Sequence, residues 1–109
     1  MIENTITEFD VCIIGAGWSG LLSCKYALSH QLSVVVLEQR DWLGGVWNYS
    51  DDPNIITVME STVTSSSATV TEAADFPMKP ELGNFLHRKD IQAYLEEYAD
   101  RAAWRSHTF

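Results

Sequence analysis

Three glycines, Gly15, Gly17 and Gly20, stand in "GAGWSG" between a β-branched apolar run and a leucine-rich stretch. Residues of this type and spacing offer one chemistry, the closing of backbone N–H groups around a phosphate. Gly15 permits a tight turn, Gly17 lets the backbone approach a diphosphate, and Gly20 lets a helix pack closely on a strand. A helix that starts there presents unpaired N–H groups and about half a positive charge at its N-terminus. Ala16, Trp18 and Ser19 complete the segment. The Ser19 hydroxyl adds a donor, and the Trp18 indole must either turn away from the phosphates or cover them.

Glycine spacing alone is a weak signal, and the residues that follow at a distance strengthen it. Glu38 closes a second apolar run 18 residues after Gly20. A dinucleotide fold sets an acid there to accept hydrogen bonds from ribose hydroxyls. The carboxylate also repels a 2′-phosphate, so the site suits FAD or NAD better than NADP. Arg40 could relieve that repulsion, which keeps NADP open at this point. Further on, Gly44 and Gly45 precede Val46, Trp47 and Tyr49. This pair reads either as a flexible turn or as a second approach of backbone to the cofactor, with Trp47 as a flat apolar wall.

The elements that must position these residues follow from periodicity. Phe9–Ile14 and Leu32–Glu38 are continuous apolar runs of the kind buried on both faces of a parallel sheet. Between them, Ser19–Ser29 sets Leu21, Cys24, Ala27 and Leu28 at helical spacing. Strand, helix and strand make a βαβ unit within residues 9–38. Residues 39–87 carry turn signals (Gly44, Gly45, Pro53, Pro77, Pro80, Gly83) and a Thr/Ser/Val-rich stretch that reads as one strand or an extended loop. A final amphipathic helix over residues 88–103 places Ile91, Tyr94, Leu95, Tyr98 and Ala102 on one face. Gln92, Glu96, Glu97, Asp100 and Arg101 point away. The closing "HTF" reads as the start of a further strand.

The chain has 109 residues and a net charge of −8, from 15 acidic and 7 basic side chains. Nucleic acid and anionic lipid call for the opposite sign, so neither is an expected partner. Cys12 and Cys24 lack metal-ligand spacing and read as buried free thiols in a reducing compartment, and no metal site is expected. No apolar run reaches membrane-spanning length, and the acidic N-terminal residues do not form a secretory signal. His30, His87 and His107 are isolated and read as surface or helix-end residues. Tyr94 and Tyr98 read as core packing.

Taken together, "GAGWSG", Glu38, "LGGVWNY", "DFPM" (Asp75–Met78) and "IQAYLEEYA" (Ile91–Ala99) resemble the flavin-containing monooxygenases, in order along nearly the whole chain. The resemblance implies an α/β fold in which the Rossmann-like βαβ unit binds FAD. It sets Gly15, Ala16, Gly17, Trp18, Ser19 and Gly20 on the FAD diphosphate and Glu38 on the adenosine ribose. Gly45, Val46 and Trp47 would touch the cofactor again. It also implies a parent enzyme of the N,N-dimethylaniline monooxygenase type, in which NADPH reduces FAD and a hydroperoxyflavin oxygenates a soft nucleophilic N or S atom of a small molecule. "NYSDDP" after Trp47, where Baeyer–Villiger relatives carry an NxYPG-like segment, favours that N- and S-oxygenating branch. Such a parent would be intracellular, cytoplasmic or associated with the endoplasmic reticulum.

The family places an Asn-Thr or Asn-Gly pair near the flavin ring, ten residues before the DFP aspartate. Ser65 stands there in this chain. A serine lacks the amide's paired donor and acceptor, so no catalytic residue is assigned. The family's second glycine turn, for NADPH, and its FxGxxxHxxx(Y/F) signature do not occur in these residues. The expectation is therefore an N-terminal, incomplete portion of an FAD-binding domain. The alternatives are a non-catalytic FAD-binding remnant or part of another flavoprotein with two dinucleotide sites.

Overall fold

A computed structural model describes residues 8–102 of the chain. Strand β1 (Val11–Ile14) leads into helix α1 (Trp18–Ser29), and the chain returns through strand β2 (Val34–Leu37). The strands pair in parallel, Val11 opposite Val34 and Ile14 opposite Leu37, as the βαβ reading requires. At the strand entrance Asp10 Oδ2 accepts the Ser33 N–H at 2.8 Å, and Ser33 Oγ accepts the Asp10 N–H at 2.8 Å. This reciprocal pair sets the register where the sheet begins.

β2 follows the sequence expectation through Val34, Val35 and Val36, which are all buried, but its last residue, Leu37, is exposed. β1 does not. Val11 and Ile13 are half-buried under α1, while Cys12 and Ile14 are exposed on the other face. The expectation that both thiols are buried is thereby corrected for Cys12, and only Cys24 lies in the core. Periodicity reports how apolar a strand is, not which neighbours cover it.

Beyond β2 the chain forms a short 3-10 turn at Gly45–Trp47, a single helical turn α2 (Ala68–Thr71), another 3-10 turn at Pro80–Leu82, and helix α3 (Arg88–Arg101). The Thr/Ser/Val stretch is mostly extended loop, tied in by an isolated antiparallel bridge between Val63 and His87. Thr64, buried within it, donates its N–H to the Leu86 carbonyl and accepts the Leu86 N–H at its hydroxyl. The reading of "HTF" as a strand, and His107, lie outside the described residues.

α3 buries Ile91, Tyr94, Leu95, Tyr98 and Ala99 against α1 and the loops between them. Each fully buried aliphatic side chain in that stripe contributes about 1.5–3 kcal/mol, so the helix is held mainly by its apolar face. Its first turn is closed by His87, whose ring nitrogen accepts the Lys89 N–H, with Asp90 adding a favourable charge near the dipole's positive end. His30 ends α1 in the opposite sense, with its Nδ1–H donating to the Tyr26 carbonyl at 2.8 Å. Both histidines are helix-end residues, as expected.

The DFP segment and the helical tyrosines form one cluster. Phe76 stacks on Tyr94 at 4.8 Å between ring centres, and Trp18 tilts against Tyr94 at 5.8 Å. The Tyr94 hydroxyl donates to the Phe76 carbonyl and accepts the Ala73 N–H. Asp75 pairs with Lys25 of α1, and the Lys25 ammonium holds its carboxyl below the usual range. Burial pushes both tyrosine hydroxyls above their ordinary pKa. The tyrosines thus serve packing, and the landmark motifs at "DFP" and "YLEEYA" join α1 to α3.

Candidate functional site: a cleft between two glycine turns

The first glycine turn folds as its spacing predicts. Gly15 takes φ +100°, a conformation that side chains disfavour. A β-carbon at Gly20 would lie 1.9 Å from the Gly15 carbonyl oxygen and 3.4 Å from Ile13 Cγ2, so only glycine lets α1 start this close to β1. The first intrahelical bond runs from the Leu21 N–H to Gly17. The N–H groups of Trp18, Ser19 and Gly20 therefore lack helical partners and form a ready anion site. No side chain caps them and no acid sits in that first turn.

Glu38 comes directly to this turn. Its Oε1 accepts the Ala16 N–H at 2.7 Å and its Oε2 accepts the Arg40 N–H at 2.8 Å. The half-buried carboxylate is thus fixed by backbone on both oxygens and still has lone pairs for further donors. The second glycine turn closes the other side. Its Gly44 N–H donates to the Ala16 carbonyl at 2.9 Å. A β-carbon at Gly45 would approach Gly17 Cα at 3.0 Å, and one at Gly17 would meet Gly45 Cα at 3.5 Å. The approach of the two turns thus calls for glycine at Gly45, where φ is also +57°, while a β-carbon at Gly17 would make only an ordinary contact with it.

The result is a cleft with two adjoining lobes. The larger, ≈ 990 Å³, runs from Gly15 and Gly17 past Glu38 and Arg40 to Gly45 and Val46. The smaller, ≈ 280 Å³, is bounded by Ser19, Gly20, Gly44, Trp18 and Trp47 at the start of α1. Ala16 is fully buried and contributes its backbone alone. The Trp18 ring leans toward Tyr94, which answers the question its bulk raised. Ile14 (79 % exposed), Leu37, Val46 and Ile56 (88 % exposed) are large apolar side chains left open to solvent, and all four line the larger lobe. An apolar wall beside a carboxylate and a helix N-terminus fits a ligand with a flat base, a sugar and phosphates.

Sequence reasoning missed two contributions. Asn54, Ile55 and Ile56 form part of the wall. Their loop is brought there by an Asp52 turn and by the Val58 N–H, which donates to Val46. No spacing signals that approach. Gln92, expected to face solvent, instead packs on the second glycine turn, where its Nε2 donates to the Leu43 carbonyl at 2.9 Å and its Oε1 is buried without a hydrogen-bond partner. A β-carbon at Gly44 would collide with that oxygen at 2.0 Å. Glu96, also expected to point away, accepts the Trp42 indole N–H at 2.8 Å. Ser65 is exposed and lies outside the cleft lining. Among the described residues no group of histidine, cysteine and carboxylate side chains is arranged to hold a metal ion, and no helix is long and apolar enough to cross a membrane.

The family model for flavin-binding monooxygenase-like proteins matches residues 8–107. A flavin-containing monooxygenase 3 from Oryctolagus cuniculus is 35 % identical over 91 residues, which is 82 % of this chain and 17 % of that protein. A flavin-containing monooxygenase from Stenotrophomonas maltophilia superposes with a TM-score of 0.73 at 29 % identity, over 93 % of this chain and 28 % of that one. A steroid monooxygenase bound to NADP superposes at 0.75 with 25 % identity, over 94 % of this chain and 19 % of that one. The chain thus spans less than a fifth of the length of the curated relative it matches. The α/β fold with its parallel βαβ unit, the two glycine turns and these matches agree: the chain belongs to the flavin-binding monooxygenase-like family.

Proposed function

We propose that the chain is the FAD-holding, N-terminal portion of an FAD-binding domain in an NADPH-dependent flavin monooxygenase that oxygenates soft N or S atoms of small molecules. One observation carries the reading. The Glu38 carboxylate, the unpaired N–H groups of α1 and the second glycine turn share one cleft, with Glu38 Oε1 2.7 Å from the Ala16 nitrogen. The cleft meets the needs of a dinucleotide at each end, with acceptors for ribose hydroxyls at Glu38 and donors for phosphate at the helix start.

In this reading Gly15, Ala16, Gly17, Trp18, Ser19 and Gly20 hold the diphosphate, with Trp18 acting through its backbone because its ring is packed on Tyr94. Glu38 accepts the ribose hydroxyls. Gly45, Val46 and Trp47 close over the cofactor, Trp47 from the smaller lobe. FAD supplies the redox and oxygen chemistry when bound, and the protein supplies binding, orientation and exclusion of water. NADPH enters the proposal through the relationship with proteins such as the NADP-bound steroid monooxygenase. Ser65, away from the cleft, gives no support to a catalytic role within this segment.

The test is reconstitution with FAD followed by gel filtration and identification of the released flavin, with NADPH-dependent oxygen consumption on N,N-dimethylaniline or a thioether measured in the parent enzyme that also carries the NADPH turn. The reading expects FAD to stay with the chain. A chain that elutes free of FAD under saturating conditions overturns it.

A further inference from the structure

The charged side chains that line the cleft are Glu38 and Arg40. They are placed in opposite ways. Glu38 is committed to backbone at both oxygens. The Arg40 guanidinium uses one donor, Nη1, on the Gly45 carbonyl at 3.0 Å. That carbonyl also accepts the Asn48 N–H at 3.1 Å. Arg40 makes no ion pair among the described residues, although Glu38 is two positions away. A half-buried guanidinium with most of its planar fork unused is costly in a cleft wall and suited to an oxyanion ligand.

Position sharpens the argument. Gly45, to which the guanidinium is bonded, is in backbone contact with Gly17, the residue that begins α1. The charge therefore stands at the junction of the two glycine turns, in the larger lobe that Gly15 and Gly17 also line. The whole chain carries a net charge of −8, a field that repels a doubly charged diphosphate. The helix N-terminus supplies only about half a charge against it.

We propose that Arg40 is a specificity-determining contact of this cleft, recognising the diphosphate of the dinucleotide while it steadies the second glycine turn. The assignment rests on the reading of the cleft as an FAD site. It divides the labour there. Glu38 selects the ribose, the glycine turns give access to backbone, and Arg40 provides the cation that makes phosphates worth more than a bare nucleoside.

The test is calorimetric titration of the whole chain with FAD, ADP and adenosine in wild type, Arg40→Gln and Arg40→Lys. The glutamine keeps a donor for the Gly45 carbonyl and removes the charge, and the lysine keeps the charge and loses the fork. Arg40→Gln is expected to weaken ADP by about tenfold with adenosine within about twofold, as for loss of one charge-assisted contact. Arg40→Lys is expected to recover most of the ADP affinity. The salt dependence of ADP binding should be shallower in Arg40→Gln than in wild type. Equal losses for ADP and adenosine would reduce Arg40 to a strut for the turn and overturn the assignment, as would an unchanged ADP affinity in Arg40→Gln. A wild type that binds FAD but prefers ADP no more than adenosine overturns the assignment alone. A wild type that binds no FAD overturns the cleft reading together with it.

Discussion

Replacing Gly20 by alanine isolates the contact on which the first glycine turn depends. The new β-carbon would stand 1.9 Å from the Gly15 carbonyl oxygen and 3.0 Å from its carbon, both backbone atoms that cannot swing aside. To reach ordinary contact the start of α1 must retreat by about 1.5 Å, against a close-packed core. That retreat pulls on Leu21 and Cys24, which are fully buried immediately after it. Overpacking of this kind costs about 1–3 kcal/mol. Alanine returns about 1 kcal/mol through its better helix propensity. The expected net loss is up to about 2 kcal/mol, a fall in Tm of up to roughly 15 °C for a chain of this size. Thermal unfolding followed by far-ultraviolet circular dichroism measures it. Gly83→Ala serves as the comparison, since Gly83 has φ +86° and open space around it. Its ψ of −168° puts it in a region that glycine alone adopts readily, so alanine there costs about 1–3 kcal/mol of backbone strain with no clash. A Gly20→Ala chain stabilised by the full propensity gain of about 1 kcal/mol would refute the claim that the helix start is packed on the turn.

Two further outcomes follow from the same contacts. Gly44→Ala combines a strained φ of +118° with a collision at Gln92 Oε1, so a loss of about 1–3 kcal/mol is expected. Adding Gln92→Ala should restore only the part due to the clash, which a double-mutant cycle on urea unfolding would read. Acidification should act through Asp75. Its folded-state pKa is lowered, chiefly by the hydrogen bond from Lys25, so its contribution is present above the unfolded carboxylate pKa and is lost as pH falls through the folded value. The pair is about a third exposed, which limits the effect to about 0.5 kcal/mol. Between roughly pH 5 and pH 2 wild-type stability should therefore fall slightly more steeply than that of Asp75→Asn. Parallel curves in urea titrations at stepped pH would remove the pair from the account.

The parts of this site that could be read from the sequence are those built by local rules. Gly15 and Gly20 announce a turn and a close helix start because their reasons lie within six residues, and the cleft's acid could be placed because a strand of fixed length carries it there. α3 was legible from its stripe of Ile91, Tyr94, Leu95 and Tyr98. What was not legible depends on partners distant in the chain. The exposure of Cys12 and Ile14 is set by which strands flank β1, and an apolar run carries no record of them. Gln92 looks like any polar residue on an outward face, yet the second glycine turn arrives 48 residues upstream in sequence to cover it. The wall at Asn54–Ile56 depends on the bond between Val58 and Val46, between loop residues with no periodicity to reveal it. The recurrent "DFP" and "YLEEYA" landmarks identified the family before their purpose was visible, which is to lock α1 against α3 through Lys25, Phe76 and Tyr94.

The proposed role of Glu38 at an adenosine ribose is tested most directly by a fluorescence titration of FAD and FMN against the chain. The two flavins share the ring system, and only FAD carries the adenosine and second phosphate that we propose the glycine turns and Glu38 to hold. The account predicts saturable binding of one FAD per chain, FMN weaker by about a hundredfold, and a loss of about tenfold or more in FAD affinity in Glu38→Ala, as expected when charged hydrogen bonds to the ligand are removed. FMN bound as tightly as FAD, or FAD bound equally well without the Glu38 carboxylate, would contradict it.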